Sequence, residues 1–319
     1  MLTALSRRHF LTLAGAAATG ARGATTKVLR GIFPIAQSPF TEAGALDLEA
    51  LARQIRFLDR CGAHGAVWPQ LASEWDTLTE RERMDGAEAI AAAGKGLKLA
   101  IVLGVQSPDT ATAVKYAQQA ERLGADAVIS LPPPKNEDPR AVLEYYKRVG
   151  AATSLPLFAQ AVGKMTPELL LEMYRAIPTL RYVKDEAGQP LDRIGRLLEG
   201  SEGRLKIFSG AHGRTLIEEM RRGFSGSMPA AAFADLYAQT WDLWQAGKRR
   251  EAMEMHGRTL LVLTDMGLYG LEGLKYPLVL RGVFGTWKTR KQESSQVLTE
   301  AGMKALREAV EFAKPFLRA

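Results

Sequence analysis

The residue of this sequence best suited to covalent chemistry is Lys184, which closes the apolar run Leu180, Arg181, Tyr182, Val183. An amine at the inner end of a buried strand pays for desolvation of its charged form, and the neutral amine that results can attack a carbonyl. The same position also suits a lysine held in an ion pair, for which Asp185 or Glu186 would be the partner. Glu186, two residues on, would face the same side of an extended segment. Other apolar runs also end on polar residues: Ser38, then Gln70 with Ser73 and Glu74, Gln106, Gln160, Ser209 with His212, and Ser227. His212 suits either a general base or an ordinary histidine at a helix start.

Those positions matter only if one fold brings the run ends together. After Lys27 the sequence alternates short apolar runs with longer amphipathic stretches, as βα units do. The runs predict strands over 31–35, 65–68, 99–105, 127–131, 157–160, 181–184, 205–209 and 226–228. Helix starts are predicted at Asp47, at Thr79 with Glu82 three residues on, at Ser107-Pro108, Asp138-Pro139, Thr166-Pro167 and Asp192. Eight such units close a parallel (β/α)8 TIM barrel, whose chemistry sits at the carboxyl ends of the strands. The barrel is expected over residues 27–229, with a C-terminal helical extension over 230–319. There Trp241, Leu243, Trp244, Met253, Leu260, Leu261 and Leu263 are spaced for apolar helix faces that make core or subunit contacts. A doubly wound open sheet shares the alternation but wants a glycine-rich phosphate turn after its first strand; here Gln37 to Gly44 carries no such pattern.

Several classes are set aside by composition. The net charge is +7, but basic and acidic residues interleave, as in Arg81, Glu82, Arg83, so no nucleic-acid surface is expected. The single cysteine, Cys61, rules out an intramolecular disulfide, and the four histidines show no H-x-H or H-E-x-x-H spacing for a metal hydrolase. Residues 1–26 read as a signal and short linker: Ser6-Arg7-Arg8-His9-Phe10-Leu11 precedes a weakly apolar run to Ala18 that is too short to span a bilayer. This has the form of a twin-arginine signal, so the twin-arginine export machinery is an expected partner and the periplasm or cell exterior the expected location.

Motifs in order along residues 30–290 resemble the dihydrodipicolinate synthase and N-acetylneuraminate lyase family. R-G-I-F-P-I-A-Q-S-P-F-T-E-A-G-A-L-D is similar to the family's opening strand and its Asp, here Asp47. A-S-E-W-D-T-L-T-E-R-E-R is similar to the loop after its second strand, and R-Y-V-K-D-E-A-G falls where the family places its Schiff-base lysine, Lys184. F-S-G, G-F-S-G-S-M-P and L-K-Y-P-L resemble later parts of the same family.

The resemblance implies a class I lyase without metal or cofactor. Its lysine would form an imine with pyruvate or another 2-oxo acid, for aldol cleavage, condensation or dehydration of a 2-oxo sugar acid. It also implies a homo-oligomer. Lys184, Gln160 and Glu186 are the expected catalytic residues; Ser38, Gln70, Ser73, Glu74, Ser209, His212 and Ser227 are the expected substrate contacts, with Glu74 and His212 also candidates for proton transfer. Departures from the family are specific. Its paired threonines, which hold the 2-oxo acid carboxylate, fall at Leu71 and Ala72; the glycine that follows is Ser73; and its fifth-strand tyrosine falls at Gln160. Its aromatic pair after the fourth strand is replaced by Pro132 to Lys135. A glutamine cannot shuttle protons as a phenol does, though it can orient water or a carbonyl. Dihydrodipicolinate synthase activity itself is therefore not expected, and a non-catalytic exported barrel that binds a small ligand or partner protein is the alternative.

Overall fold

The computed structural model describes residues 27–134, 138–291 and 297–319. The proposed signal over residues 1–26, and Lys135, lie outside the described residues. Strands and helices alternate: β1 Gly31–Ile32, α1 Leu48–Arg60, β2 Gly65–Trp68, α2 Glu80–Gly94, β3 Ala100–Gly104, α3 Thr110–Arg122, β4 Ala127–Ser130, α4 Pro139–Ala151, β5 Leu157–Ala161 and α5 Pro167–Ala176. They continue as β6 Leu180–Asp185, α6 Pro190–Gly200, β7 Lys206–Ser209, α7 Leu216–Arg221 and β8 Gly226–Ser227. The chain then runs through α8 Ala234–Gln245, α9 Arg249–Gly267, α10 Gly270–Leu280 and α11 Glu300–Ala313.

All neighbouring strands pair in parallel in the order β1-β8-β7-β6-β5-β4-β3-β2. The ends meet where the Ala36 N–H donates to the Val67 carbonyl at 2.9 Å and the Val67 N–H to Pro34 at 3.0 Å, which closes a (β/α)8 TIM barrel. Regular pairing of β1 is shorter than the apolar run because Pro34 has no N–H to give. α8 takes the place of the eighth helix, against β1, so the segment after residue 230 opens with a barrel helix.

Alternation along each strand produces two separate cores. Phe33, Val67, Val102, Ile129, Phe158 and Phe208 fill the barrel interior. Residues between them in sequence, such as Ala66, Leu103, Ala159 and Val183, face the helices. Inside, the Phe158 ring stacks on Tyr182 at 4.3 Å and meets Phe208 edge-on at 5.2 Å, a plug below the carboxyl ends of β5, β6 and β7.

Helix starts follow cap chemistry. Asp47, Asp138 and Thr166 each accept a first-turn N–H, and Thr79 with Glu82 forms a reciprocal capping box. Two starts differ from expectation. Asp109 caps α3 by accepting the Thr112 N–H at 2.8 Å, while Ser107 only receives the Asp109 N–H at 3.2 Å. α6 begins at Pro190, whose missing N–H is no loss at that position, and Asp192 lies inside the first turn rather than at the cap. On the C-terminal helices Trp241, Trp244 and Leu263 are buried, whereas Met253 and Leu261 face outward.

Candidate active site

β6 is the strand that builds the site. Val183 faces the helices, so its neighbours Tyr182 and Lys184 point into the barrel. Lys184 is 3 % exposed, and its Nζ lies 2.9 Å from the Glu186 carboxylate. Asp185 points the other way, where its carboxylate accepts from Arg193 Nε at 2.8 Å and from the Ala187 N–H. Burial pushes the Asp185 carboxyl up despite Arg193. Of the two acids beside the lysine, Glu186 is its partner.

The Glu186 carboxylate is held from several sides. Gln160 Nε2 donates to it from the end of β5, and the Ala211 N–H donates at 3.3 Å. Gly210, after β7, is required there: a Cβ at that position would overlap the Glu186 carboxylate. Burial alone would raise this carboxyl, but the Lys184 ammonium and the hydrogen bonds from Lys184, Gln160 and Ala211 outweigh it and hold it below the ordinary glutamate range. His212 follows in a left-handed conformation, φ 55°, with its carbonyl accepting from the Tyr237 hydroxyl at 2.6 Å. Burial, then the Lys184 charge, pushes the imidazole below the ordinary histidine range, so it is neutral at neutral pH and can accept a proton.

A cavity of about 440 Å3 opens beside these groups, lined by Lys184, Glu186, His212 and Gln70 and, at its rim, by Lys291. A larger cavity of about 730 Å3 lies at the opposite mouth, where Lys27, Arg30 and Tyr182 line it; it contains none of the strand-end groups that such barrels use for chemistry. Lys291 gave no signal in the sequence, because it reaches the site through a loop some hundred residues after Lys184. Its Nζ pairs with Asp76 at 2.7 Å.

Gln160 reaches the site only through Glu186, and five other expected residues turn away from the cavity. Ser38 donates to the Ser73 carbonyl at 2.5 Å and accepts from Trp68 Nε1 at 3.0 Å; Ser73 Oγ donates to the Ala36 carbonyl and accepts the Gln70 N–H. Both serines tie the β1 and β2 loops together. Ser209 and Ser227 share a hydrogen bond of 3.0 Å on the outer face of the barrel, and Ser209 donates to buried Glu219 at 2.6 Å. Burial raises the Glu219 carboxyl against those bonds. Glu74, expected at the substrate, is instead fully buried in an ion pair with Lys275 and accepts the N–H groups of Arg290 and Lys291 at 2.7 and 2.8 Å. Lys275 also lies over the Phe40 ring. Glu74 is therefore a clamp between the β2 loop, α10 and the loop that carries Lys291. Among the described residues no group of three or more His, Cys, Asp or Glu could hold a metal ion, and no helix is long and apolar enough to cross a membrane.

The dihydrodipicolinate synthetase family model matches residues 28–292. L-2-keto-3-deoxyarabonate dehydratase of Azospirillum brasilense is 25% identical over 232 residues, covering 70% of this chain and 75% of its own length. The probable 2-dehydro-3-deoxy-D-pentonate aldolase YjhH of Escherichia coli K12 is 26% identical over 265 residues, 77% of this chain and 83% of that protein. The wild-type sialic acid aldolase structure of Ruminococcus gnavus superposes with a TM-score of 0.81 at 20% identity, covering 90% of this chain and 99% of that chain; at that identity the likeness speaks for the barrel alone.

Proposed function

Because this chain belongs to the dihydrodipicolinate synthetase family, we propose that it is a class I lyase that forms a Schiff base between Lys184 and a 2-oxo acid. The observation that carries the reading is a buried lysine with one carboxylate at 2.9 Å and an open cavity beside both. Glu186 takes the proton from the ammonium, and the freed amine attacks the C2 carbonyl. The same carboxyl returns that proton to the carbinolamine hydroxyl as it leaves as water. The protonated imine then draws the electrons of the breaking bond into an enamine, which is reprotonated and hydrolysed. In this reading Glu186, fixed by Gln160, does the proton transfer for which Gln160 itself lacks a titratable group. His212, neutral and beside the cavity, is a second acceptor.

Borohydride reduction in the presence of pyruvate and longer 2-oxo acids, followed by mass analysis of the Lys184 peptide, tests this. An adduct on Lys184, lost in Lys184→Met, is expected; no adduct across the panel removes the lyase reading and leaves the non-catalytic barrel.

Two further readings belong to the same proposal. Export by the twin-arginine route is motivated by Arg7 and Arg8, and an unchanged location on changing both to Lys would remove it. A homo-oligomer is motivated by Met253, Leu261 and Leu268, exposed on or just after α9; a monomer by light scattering at working concentration would remove that one.

A further inference from the structure

The lining of the Lys184 cavity is chemically uneven. Its polar side chains are Lys184, Glu186, His212, Gln70 and Lys291. The first three belong to the imine chemistry, and both amide hydrogens of Gln70 are engaged, by the Pro69 carbonyl at 2.9 Å and Gln106 Oε1 at 3.1 Å, which leaves its Oε1 as an open acceptor. Otherwise the side chains of the lining are apolar, led by Leu71 and Ala72 after β2, Met228 after β8, and Leu271 and Leu274 of α10. The serines at the same strand ends, Ser38, Ser73, Ser209 and Ser227, spend their hydroxyls on protein partners and do not line the cavity.

A polyhydroxylated chain bound here would find Gln70 Oε1 and the Asp76-paired Lys291 for a hydroxyl but would place the rest against leucine, methionine and alanine, and each one desolvated without a partner opposes binding. An alkyl or aryl group loses nothing on the same wall and gains from leaving water. A cavity of about 440 Å3 has room for a three-carbon 2-oxo acid with such a group attached.

We propose that the substrate is a 4-hydroxy-2-oxo acid whose C4 substituent is alkyl or aryl rather than a sugar chain; this rests on the Schiff-base reading above. Lys184 adds at C2 and water leaves. The C4 hydroxyl gives its proton to the enzyme base, the C3–C4 bond breaks with its electron pair passing into the imine, and an apolar aldehyde departs. The enamine takes the proton back at C3, and water releases pyruvate and free lysine. The cycle is redox-neutral and needs no co-reactant beyond water.

The test compares pyruvate release from 4-hydroxy-2-oxo acids bearing propyl or phenyl at C4 with release from 2-dehydro-3-deoxy-D-pentonate, alongside borohydride trapping with pyruvate. The expected result is a Lys184 adduct and a kcat/KM roughly a hundredfold higher for the apolar tails. Leu271→Gln, at a half-buried wall position, should narrow that ratio about tenfold, and Leu271→Met should leave it within about twofold. An adduct together with equal or better turnover of the pentonate overturns the substrate class and spares the Schiff base. Absence of any adduct overturns both.

Discussion

Lys184 Nζ and Glu186 Oε2 stand 2.9 Å apart, with Val183 and Asp185 turned to the other side of the strand. The pairing sets a base against the amine that must lose a proton before it can attack, so Glu186 should control rate more than binding. Glu186→Gln keeps the shape and a hydrogen bond but cannot take the proton. kcat should fall about 10²–10⁴-fold with KM little changed. The sign of the pH effect follows from the lowered carboxyl: the wild-type rate holds until pH falls below the ordinary glutamate range, where Glu186 protonates. In Glu186→Gln that acid limb should vanish and the rate should climb with pH as hydroxide replaces the missing base. An unchanged acid limb assigns the titration elsewhere.

Gln160 is not itself in the cavity lining but holds Glu186, which is, and that makes it a positioning residue. Its amide donor is one of the contacts that lower the Glu186 carboxyl. Gln160→Ala should move the acid limb of the kcat profile toward higher pH and reduce kcat roughly tenfold. A purely structural role would lower the melting temperature without moving the limb.

Lys184 and its strand were readable because a polar residue ending an apolar run is a local pattern, and βα periodicity fixes which end of the barrel it reaches. The same logic failed for Ser209 and Ser227, since a run end does not say on which face its last residue falls: one position of register sends a hydroxyl outward to Glu219 instead of inward. Glu74 was misplaced for a different reason. Its partner Lys275 is 201 residues away, and no local pattern announces a charge buried at that separation. Lys291 escaped for the same cause, being brought to the cavity by the loop that Glu74 anchors.

The Glu74–Lys275 clamp makes a stability prediction independent of any catalysis. Both side chains are 0 % exposed, so removing one leaves a desolvated charge. Lys275→Met should cost about 3–5 kcal/mol by urea unfolding, and adding Glu74→Gln should recover part of that loss, because two neutral groups replace one orphaned ion. The double variant keeps one side-chain oxygen for the Arg290 and Lys291 N–H groups, so substrate binding per folded molecule should stay close to that of wild type. Equal stability of Lys275→Met and wild type would refute the clamp.

A second tie holds the same loop and responds to acid. Arg290 bonds to both oxygens of Glu82 and to the carbonyls of Gly44 and Thr77, while Glu82 also receives the Thr79 N–H at the start of α2. The Arg290 hydrogen bond first, and the Thr79 bonds after it, outweigh partial burial and lower the Glu82 carboxyl from 4.5 to about 2. A depressed carboxyl adds stability that is complete above its unfolded value and disappears as pH drops through the folded one. The contribution should therefore be full at pH 7 and fade between 4.5 and about 2. With the pair about one-quarter exposed, solvent screening keeps it on the order of 1–2 kcal/mol. Glu82→Gln preserves the capping-box shape and removes only the charge, so the gap in urea midpoint between wild type and variant should be clear at pH 7 and close near pH 2. A gap that persists undiminished in acid would place the effect in the cap of α2 and not in the ion pair with Arg290.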